Sequence, residues 1–411
     1  MDLQPKILEI GQKHSVKTLL ISPFFYPDEI GIALYNKLTV EYLLEKKQDV
    51  SIITAVPYYP EWKIKQPYDK AKLFSREKYL AATVFRVKHF VPKKPTALKR
   101  VLQLLHFTLL SLRYVFSVPK DCKIIVVSPF TSGIITALVI KLFRGGKIWC
   151  HVQDFEFDAA AATFTFKRFI KPLYKIESFL FNRCDKISTI SNAMFEKLKN
   201  KTNTPAILFP NFINVESFKN TKDEPHPYYL ETGRPQLLYS GNLGEKQDWD
   251  FFQSFCQEVI DDIDITVVGN GAMGDNLKDK LKGLSNIRFF NLVPYSELPQ
   301  LLCSFDGHIL FQKKEVIDSV MPSKLIAMML SGKPSFLYGN PLSESKLVVE
   351  ESRGGIFYSG NSVKELSEMV IDLLADDKKR ESMGNAAKRY AQLHFSDKNI
   401  LRDFENNLKH L

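Results

Sequence analysis

The sequence predicts an α/β protein built from two doubly wound domains. Three observations lead there. The chain has 411 residues, which suits two domains of ~100–200 residues, each able to bury its own core. It is 45% hydrophobic and 25% charged, the proportions of a globular chain rather than a disordered, collagenous or coiled-coil one. Short apolar runs alternate with helix-period segments in two successive series.

In the first series, Thr18–Ser22 (TLLIS) reads as a strand, followed by a Pro/Gly loop and a helix from about Ile32 to Lys46. Val50–Thr54 and Lys123–Ser128 are further strands, the latter followed by a helical Gly133–Phe143. Lys147–Val152, Lys186–Ile190 and Ala206–Phe209 complete the set. The second series has strands at Gln236–Ser240, Ile263–Val268, Ile287–Phe290, Gly307–Leu310 and Pro334–Tyr338. Apolar, β-branched runs bounded by turn residues suit strands buried on both faces of a parallel sheet. Asn211–Arg234 is rich in Asn, Lys, Glu and Pro and has no apolar period, so it reads as the crossing between domains.

Charge is uneven. Met1–Lys120 holds 20 basic and 10 acidic residues, which accounts for the whole net charge of +10, and Lys63–Lys120 alone has 14 basic against Asp69 and Glu77. Such a region either faces an anionic partner or is a solvated face. Nucleic acid is not expected, because no binding module accompanies the basic residues. The five cysteines are scattered, odd in number and without a CxxC pair, which points to reduced thiols rather than a disulfide framework or zinc site. Met1–Ser15 lacks the apolar centre of a secretory signal. No run reaches ~18 clean apolar residues, so no membrane span is expected.

Several segments can carry chemistry. In the first βα loop, Ser22–Tyr35, Gly31 opens a helix, where backbone N–H groups and the helix dipole suit an anion; a simple tight turn is the other reading. Trp149–Asp158 places His151 and Asp154 where a strand ends, the edge at which open α/β sheets gather ligands. A core histidine with a capping Asp remains open. Leu237–Lys246 is a strand, a turn with Gly241 and Asn242, and then Lys246. Ile265–Gly274 repeats the pattern with Gly269 and Gly271. Two Gly-rich turns after successive strands suit a nucleotide diphosphate with Lys246 as counter-charge.

Gly269–Gly274 also satisfies GxGxxG, but the acid that should end the next strand is missing, since Ile287–Phe290 runs into Asn291; NAD is therefore set aside. Asp248-Trp-Asp250 opens a helix and Asp262-Ile-Asp264 starts a strand. Both read as solvated acids, and no metal is expected. Pro322 and Ser323 open a helix whose free N–H groups and Lys324 suit a phosphate, unless this is an ordinary helix start. Thr96–Phe116 has helical period, with Lys99, Gln103, His106 and Arg113 as a narrow polar stripe and Lys93, Lys94 and Arg100 nearby. It reads either as a helix lying in a membrane interface or as a long core helix with one exposed edge.

In their order and spacing these pieces resemble the GT-B glycosyltransferases of the family-4 group, and most of all bacterial colanic-acid and O-antigen transferases of the fucosamine-transferase type. The residues that carry the likeness are Tyr26-Pro27, Gly31 with Tyr35, Pro57-Tyr-Tyr-Pro60, His151-Val-Gln-Asp154, Ser191-Asn-Ala-Met194 and Pro210-Asn211. In the second half they are Tyr239–Gly244 with Lys246, Val268–Gly271, Val293-Pro294, Met321–Leu325 and Ser331–Pro334. The likeness runs from about Lys17 to the last helix.

It implies two Rossmann-like domains facing across a cleft: residues 1–212 on the acceptor side, 213–392 binding the nucleotide sugar, and 393–411 a helix crossing back. It implies a retaining glycosyltransferase, peripheral at the inner face of the cell membrane in the cytoplasm. Such an enzyme moves a sugar from a UDP- or GDP-linked donor to a lipid-linked or polysaccharide acceptor in lipopolysaccharide or capsule synthesis. No metal or further cofactor is implied. Gly31 would approach the donor phosphates, Asp154 and His151 would face the transferred sugar, and Asp28 would be a second candidate base. Val293, Ser319, Met321, Pro322, Ser323, Lys324 and Leu325 would lie on the donor side. Tyr58 and Tyr59 would join Lys93, Lys94, Lys99 and Arg100 on the acceptor and membrane side. Ser319 and Ala327 stand where many members carry two glutamates, Asn242 where many carry Arg, and Ala33 where the first loop has a second Gly. A sugar-nucleotide epimerase on the same fold and a non-catalytic membrane-associated binding protein are the rival readings.

Overall fold

The computed structural model describes residues 16–28, 31–59, 61–94, 96–155, 170–219, 221, 224–316 and 323–411. The chain forms two compact units. One holds Met1–Thr189, Leu198–Ile207 and Phe404–Leu411, the other Ile190–Lys197 and Leu208–Asp403.

Unit 1 is built on an eight-stranded sheet. In chain order its strands are β1 (Lys17–Ile21), β2 (Asp49–Ala55), β3 (Phe74–Tyr79), β4 (Ala82–Val87), β5 (Lys123–Ser128), β6 (Lys147–Val152), β7 (Lys186–Thr189) and β8 (Ala206–Leu208). They lie in the order β3-β4-β2-β1-β5-β6-β7-β8. β1 pairs in parallel with both β2 and β5, so the chain reverses direction across the sheet there, as in doubly wound folds. β1, β2, β5 and β6 are buried along nearly their whole length. This is what continuous apolar runs between two helix layers require.

The helices of this unit are α1 (Ile32–Glu45), α2 (Ala97–Ser111), α3 (Gly133–Arg144) and α4 (Ile170–Phe181). The last turns of the final helix also pack here: the Phe404 ring lies 4.9 Å from that of Trp149, and Tyr42 donates to Glu405 Oε2 at 3.1 Å.

Unit 2 has six parallel strands in the order β11-β10-β9-β12-β13-β14. They are β9 (Gln236–Ser240), β10 (Asp264–Val268), β11 (Ile287–Phe290), β12 (Gly307–Phe311), β13 (Ser335–Tyr338) and β14 (Gly355–Tyr358). Its helices are α5 (Asn192–Lys199, of which the last two residues belong to unit 1), α6 (Trp249–Glu258), α7 (Gly274–Lys280), α8 (Leu298–Ser304), α9 (Ser323–Leu330), α10 (Glu344–Ser352), α11 (Val363–Ala375), α12 (Asp377–His394) and the first half of α13 (Asp397–Lys409), whose last turns belong to unit 1. Here too the direction reverses between the first and fourth strands, β9 and β12. Asn211–Arg234 contributes to this unit's core: Phe218 is buried, and Tyr228 stacks on Phe290 with centroids 4.1 Å apart.

Four readings of the sequence are corrected. The antiparallel pair β3–β4 and the edge strand β14 add to the expected strands. β3 (FSREKY) has three consecutive charged residues, Arg76, Glu77 and Lys78, at a half-exposed edge and so has no apolar run. β4 carries Arg86, fully buried because its guanidinium bonds Glu77 at 2.5 Å, the Ala55 carbonyl at 3.0 Å and the Tyr26 carbonyl at 2.5 Å. The helix expected over Thr96–Phe116 ends at Ser111 and continues as one 3₁₀ turn, Leu112–Tyr114.

On α2, Gln103 faces inward, not outward. It is buried against His89 at 2.9 Å, while Leu98, Leu102, Leu105 and Leu109 are exposed. Asp264 is not a solvated acid: it is wholly buried and bonds Arg234 at 2.5 Å, with Arg288 at 3.9 Å. Replacing Asp264 by Ala strands Arg234 at that end of the sheet. Because Arg234 is about one-third exposed, the expected loss is about 2 kcal/mol rather than the larger penalty of a fully buried pair. Urea unfolding measures it.

Candidate functional site

The strongest constellation lies at the carboxyl ends of β9 and β10. Beyond β9 the chain turns at Gly241, whose φ of +125° is one L side chains rarely adopt. A Cβ there would stand 2.5 Å from Cε of Lys324. The turn after β10 comes closer still, and a Cβ on Gly269 would lie 2.3 Å from the Gly241 carbonyl. Three backbone bonds stitch the turns together: Gly241 N–H to Val268 O at 2.8 Å, Leu243 N–H to Asn270 O at 2.9 Å, and Met273 N–H to Leu243 O at 3.0 Å. Gly271 closes the second turn by accepting from Gly274 N–H at 3.0 Å. Asn242 is exposed on the first turn, and Leu243 is buried beneath it.

Lys324, in the first turn of α9, reaches into this turn from 83 residues along the chain. Its Nζ donates to the Tyr239 hydroxyl at 3.0 Å and the Asn242 carbonyl at 3.3 Å, and lies 4.8 Å from the Tyr239 ring centroid. Tyr239 in turn donates to the Asn242 carbonyl at 2.8 Å. Desolvation pushes the Lys324 ammonium down to about 8. Among the described residues no carboxylate pairs with it. An ammonium held by neutral acceptors in a desolvated turn retains donor capacity and charge for an anion.

Lys246 sits differently. It is exposed in the turn before α6, and its backbone carbonyl accepts from Lys313 N–H at 3.0 Å. Trp249 Nε1 donates to the Gly244 carbonyl at 3.0 Å, and Asp248 caps α6 through Phe251 N–H at 3.0 Å. The cation built into the turn is therefore Lys324. Val293 is half-buried beyond β11, and Leu325 is core. Ser319, Met321 and Pro322, and the side chain of Ser323, lie outside the described residues.

In unit 1, Asp28 follows β1 and is buried, accepting from Lys65 Nζ at 2.8 Å. Burial raises its pKa, and the Lys65 bond opposes the shift. Gly31 caps α1 and is exposed, with no side-chain cap on that helix. His151 is buried, with Nδ1 2.9 Å from Ser188 Oγ and Nε2 3.0 Å from Gln153 Nε2. Desolvation pushes its pKa down to about 3, so the ring is neutral, as in a core histidine. Asp154 is exposed just beyond β6, and its carbonyl accepts from Ser128 Oγ at 3.2 Å.

Tyr58 is a correction to the surface set. It is buried in an aromatic cluster with Phe24, Trp62 and His89. Tyr59 is exposed, as are Lys93, Lys94, Lys99 and Arg100, and the Arg100 guanidinium lies 5.7 Å from the Trp62 ring centroid. Tyr239 is the site residue that sequence reasoning passed over as a strand residue; a hydroxyl at the end of an otherwise apolar run was the available signal. Among the described residues no group of three or more His, Cys, Asp or Glu side chains is placed to hold a metal ion.

Residues 220–390 match the family described as glycosyl transferases group 1. The chain is similar to the putative colanic acid biosynthesis glycosyl transferase WcaI of Escherichia coli K12, at 29% identity over 96% of this chain and 100% of that one. Its fold is shared with GT-B glycosyltransferases. Sucrose-phosphate synthase from Thermosynechococcus elongatus gives a TM-score of 0.73 at 12% identity, over 96% of this chain and 98% of that one. Anabaena Alr3699/HepE in complex with UDP-glucose gives 0.65 at 12% identity, over 96% and 100%.

A desolvated ammonium destabilises the fold only while protonated. Its pKa is lowered on folding, so the penalty is full below about pH 8 and vanishes above the unfolded value of about 10.4. Without ligand, Lys324→Met is therefore expected to be about 1 kcal/mol more stable than wild type at pH 7, a figure reduced for partial solvent access. The advantage should be gone by about pH 10.5. Urea titrations at the two pH values decide it.

Proposed function

The chain is a glycosyltransferase with a group 1 domain, and we propose that it moves a sugar from a UDP- or GDP-linked donor to a lipid-linked or polysaccharide acceptor. The reaction takes place at the cytoplasmic face of the membrane, with retention at the anomeric carbon, in surface polysaccharide synthesis. The observation that carries the donor side is the Lys324 ammonium against Gly241, a cation with its place in the fold and no described counter-carboxylate. A nucleotide diphosphate supplies the missing charge. The name of the Escherichia coli relative and the UDP-glucose bound to the Anabaena protein support the class of reaction and donor.

As the C1–O bond of the donor breaks, negative charge gathers on the departing phosphate. Lys324 stabilises it where water is partly excluded, which is where a fixed charge lowers a barrier most. Lys246 adds a second, outer cation. The acceptor hydroxyl attacks C1, and its proton passes to a leaving-group phosphate oxygen on the same face, so no separate base is needed. If a carboxylate assists, Asp154 is the exposed candidate and Asp28 the one already engaged by Lys65. His151, neutral and bonded at both nitrogens, is a positioning residue in this account.

Calorimetric titration with UDP, GDP and ADP, all without added metal and with chelator present, tests the reading. UDP or GDP is expected to bind. Lys324→Met should raise its Kd about ten- to a hundredfold, the worth of a charge-assisted contact. Lys246→Ala should weaken binding less. A larger loss at Lys246 would overturn the assignment of the inner cation, and no binding of any nucleotide diphosphate would overturn the donor class.

A further inference from the structure

α2 buries Phe107 together with polar side chains inward and leaves a row of leucines in solvent outward. Its inner face carries polar groups that are all occupied. Gln103 bonds His89, Thr108 Oγ1 donates to Ser132 Oγ at 2.8 Å, and Ser111 Oγ lies 2.9 Å from Thr136 Oγ1 of α3. Its outer face carries Leu98, Leu102, Leu105 and Leu109. Spacings of four, three and four residues place them in one row along the helix. Leu98 is 62% exposed and Leu109 is 67% exposed. Beyond the helix, Phe116 is 70% exposed with its ring 5.6 Å from that of Phe143, and Leu142 at the end of α3 is 78% exposed. Isolated surface leucines are ordinary, but four in one row, with a paired aromatic corner in the segment that follows, call for a partner.

The surrounding charge identifies that partner. Between Glu77 and Asp121 the sequence has no acidic residue. Lys93, Lys94, Lys99 and Arg100 are exposed at the amino end of the leucine row. An apolar row edged by cations, on a segment with no acid of its own before Asp121 at the α3 end, complements an anionic bilayer: leucines enter the acyl boundary while ammonium groups stay at the headgroups. A second copy of the chain would bring like charges together, which opposes self-association through this face.

We propose that the outer leucine row of α2, with the Phe116–Phe143 corner, is the surface by which this protein inserts into an anionic lipid bilayer. This deepens the membrane part of the proposed function, but it needs no sugar chemistry, so the two can fail separately.

The test is flotation of the full chain with vesicles of phosphatidylglycerol and phosphatidylcholine in equal parts, and with phosphatidylcholine alone, in the absence of nucleotide. Binding is expected only to the anionic vesicles. Leu102→Gln/Leu109→Gln should weaken it at least about tenfold with little change in thermal midpoint, because both residues are more than half exposed. Lys93→Ala/Lys94→Ala/Lys99→Ala should weaken it comparably and reduce its salt dependence. A Leu109→Trp variant should gain a blue-shifted emission component with anionic vesicles, over the background of Trp62, Trp149 and Trp249. Unchanged flotation of the leucine double variant, or an added indole emission in Leu109→Trp that vesicles do not move, would overturn the proposal. So would sedimentation showing that the leucine substitutions split a stable dimer while vesicles bind neither form, since the face would then join copies of the chain. UDP binding lost with vesicle binding intact would count against the donor reading and leave this one standing.

Discussion

The ammonium of Lys324 is seated in a turn that leaves no room for any other side chain. Gly241 is held to glycine by its φ, and a Cβ there would displace the end of Lys324, while Gly269 must be glycine because the Gly241 carbonyl occupies that place. Tyr239, at the end of β9, then fixes the amine by accepting its hydrogen bond while donating to Asn242. The arrangement joins α9 to the strand ends on which the reversal of the sheet turns. It also keeps a cation where solvation is poor, with no carboxylate paired to it among the described residues. In the proposed reaction, the desolvation that lowers its pKa is the property by which it would stabilise a departing phosphate.

Unit 1 uses buried charge to hold its loops. Arg86 ties β4 to the carbonyls of Ala55 and Tyr26, and Asp28, two residues beyond Tyr26, is held by Lys65. These bonds hold Tyr26 and Asp28, in the segment that follows β1. His151, between Ser188 and Gln153, fixes the end of β6 just before the exposed Asp154. The polar interior of α2 belongs to the same design. Its hydroxyls and amide are spent on α3 and His89 beside the buried Phe107, while Leu98, Leu102, Leu105 and Leu109 stay exposed.

Much of the fold was legible because buried parallel strands announce themselves. KIIVVS and DITVV cannot face water on either side, and the loops after them must then hold the chemistry. What was not legible depended on contacts far apart in sequence. β4 hides behind Arg86, whose burial makes sense only once Glu77 and two carbonyls surround it. Asp264 looked solvated because Arg234 and Arg288 lie on either side of it in the chain and not beside it. Both lysines of the donor side could be named from sequence. What could not be read is that the folded turn brings Lys324 against Gly241, on which the proposed ranking of the two rests. The inward side of α2 was misread for a related reason: a helix with a narrow polar stripe can bury either face, and the partners of Gln103, Thr108 and Ser111 decide which.

The central claim is that binding a nucleotide diphosphate completes the charge of Lys324. Calorimetry of UDP and GDP at pH 8, in two buffers of different ionisation enthalpy, counts the protons that accompany binding. With the free amine at about 8, an anion that fully protonates it should draw up about half a proton per site at that pH. Lys324→Met should draw up none. Binding by the wild-type chain with no proton uptake would contradict the account, because the diphosphate would then rest on groups whose charge does not change.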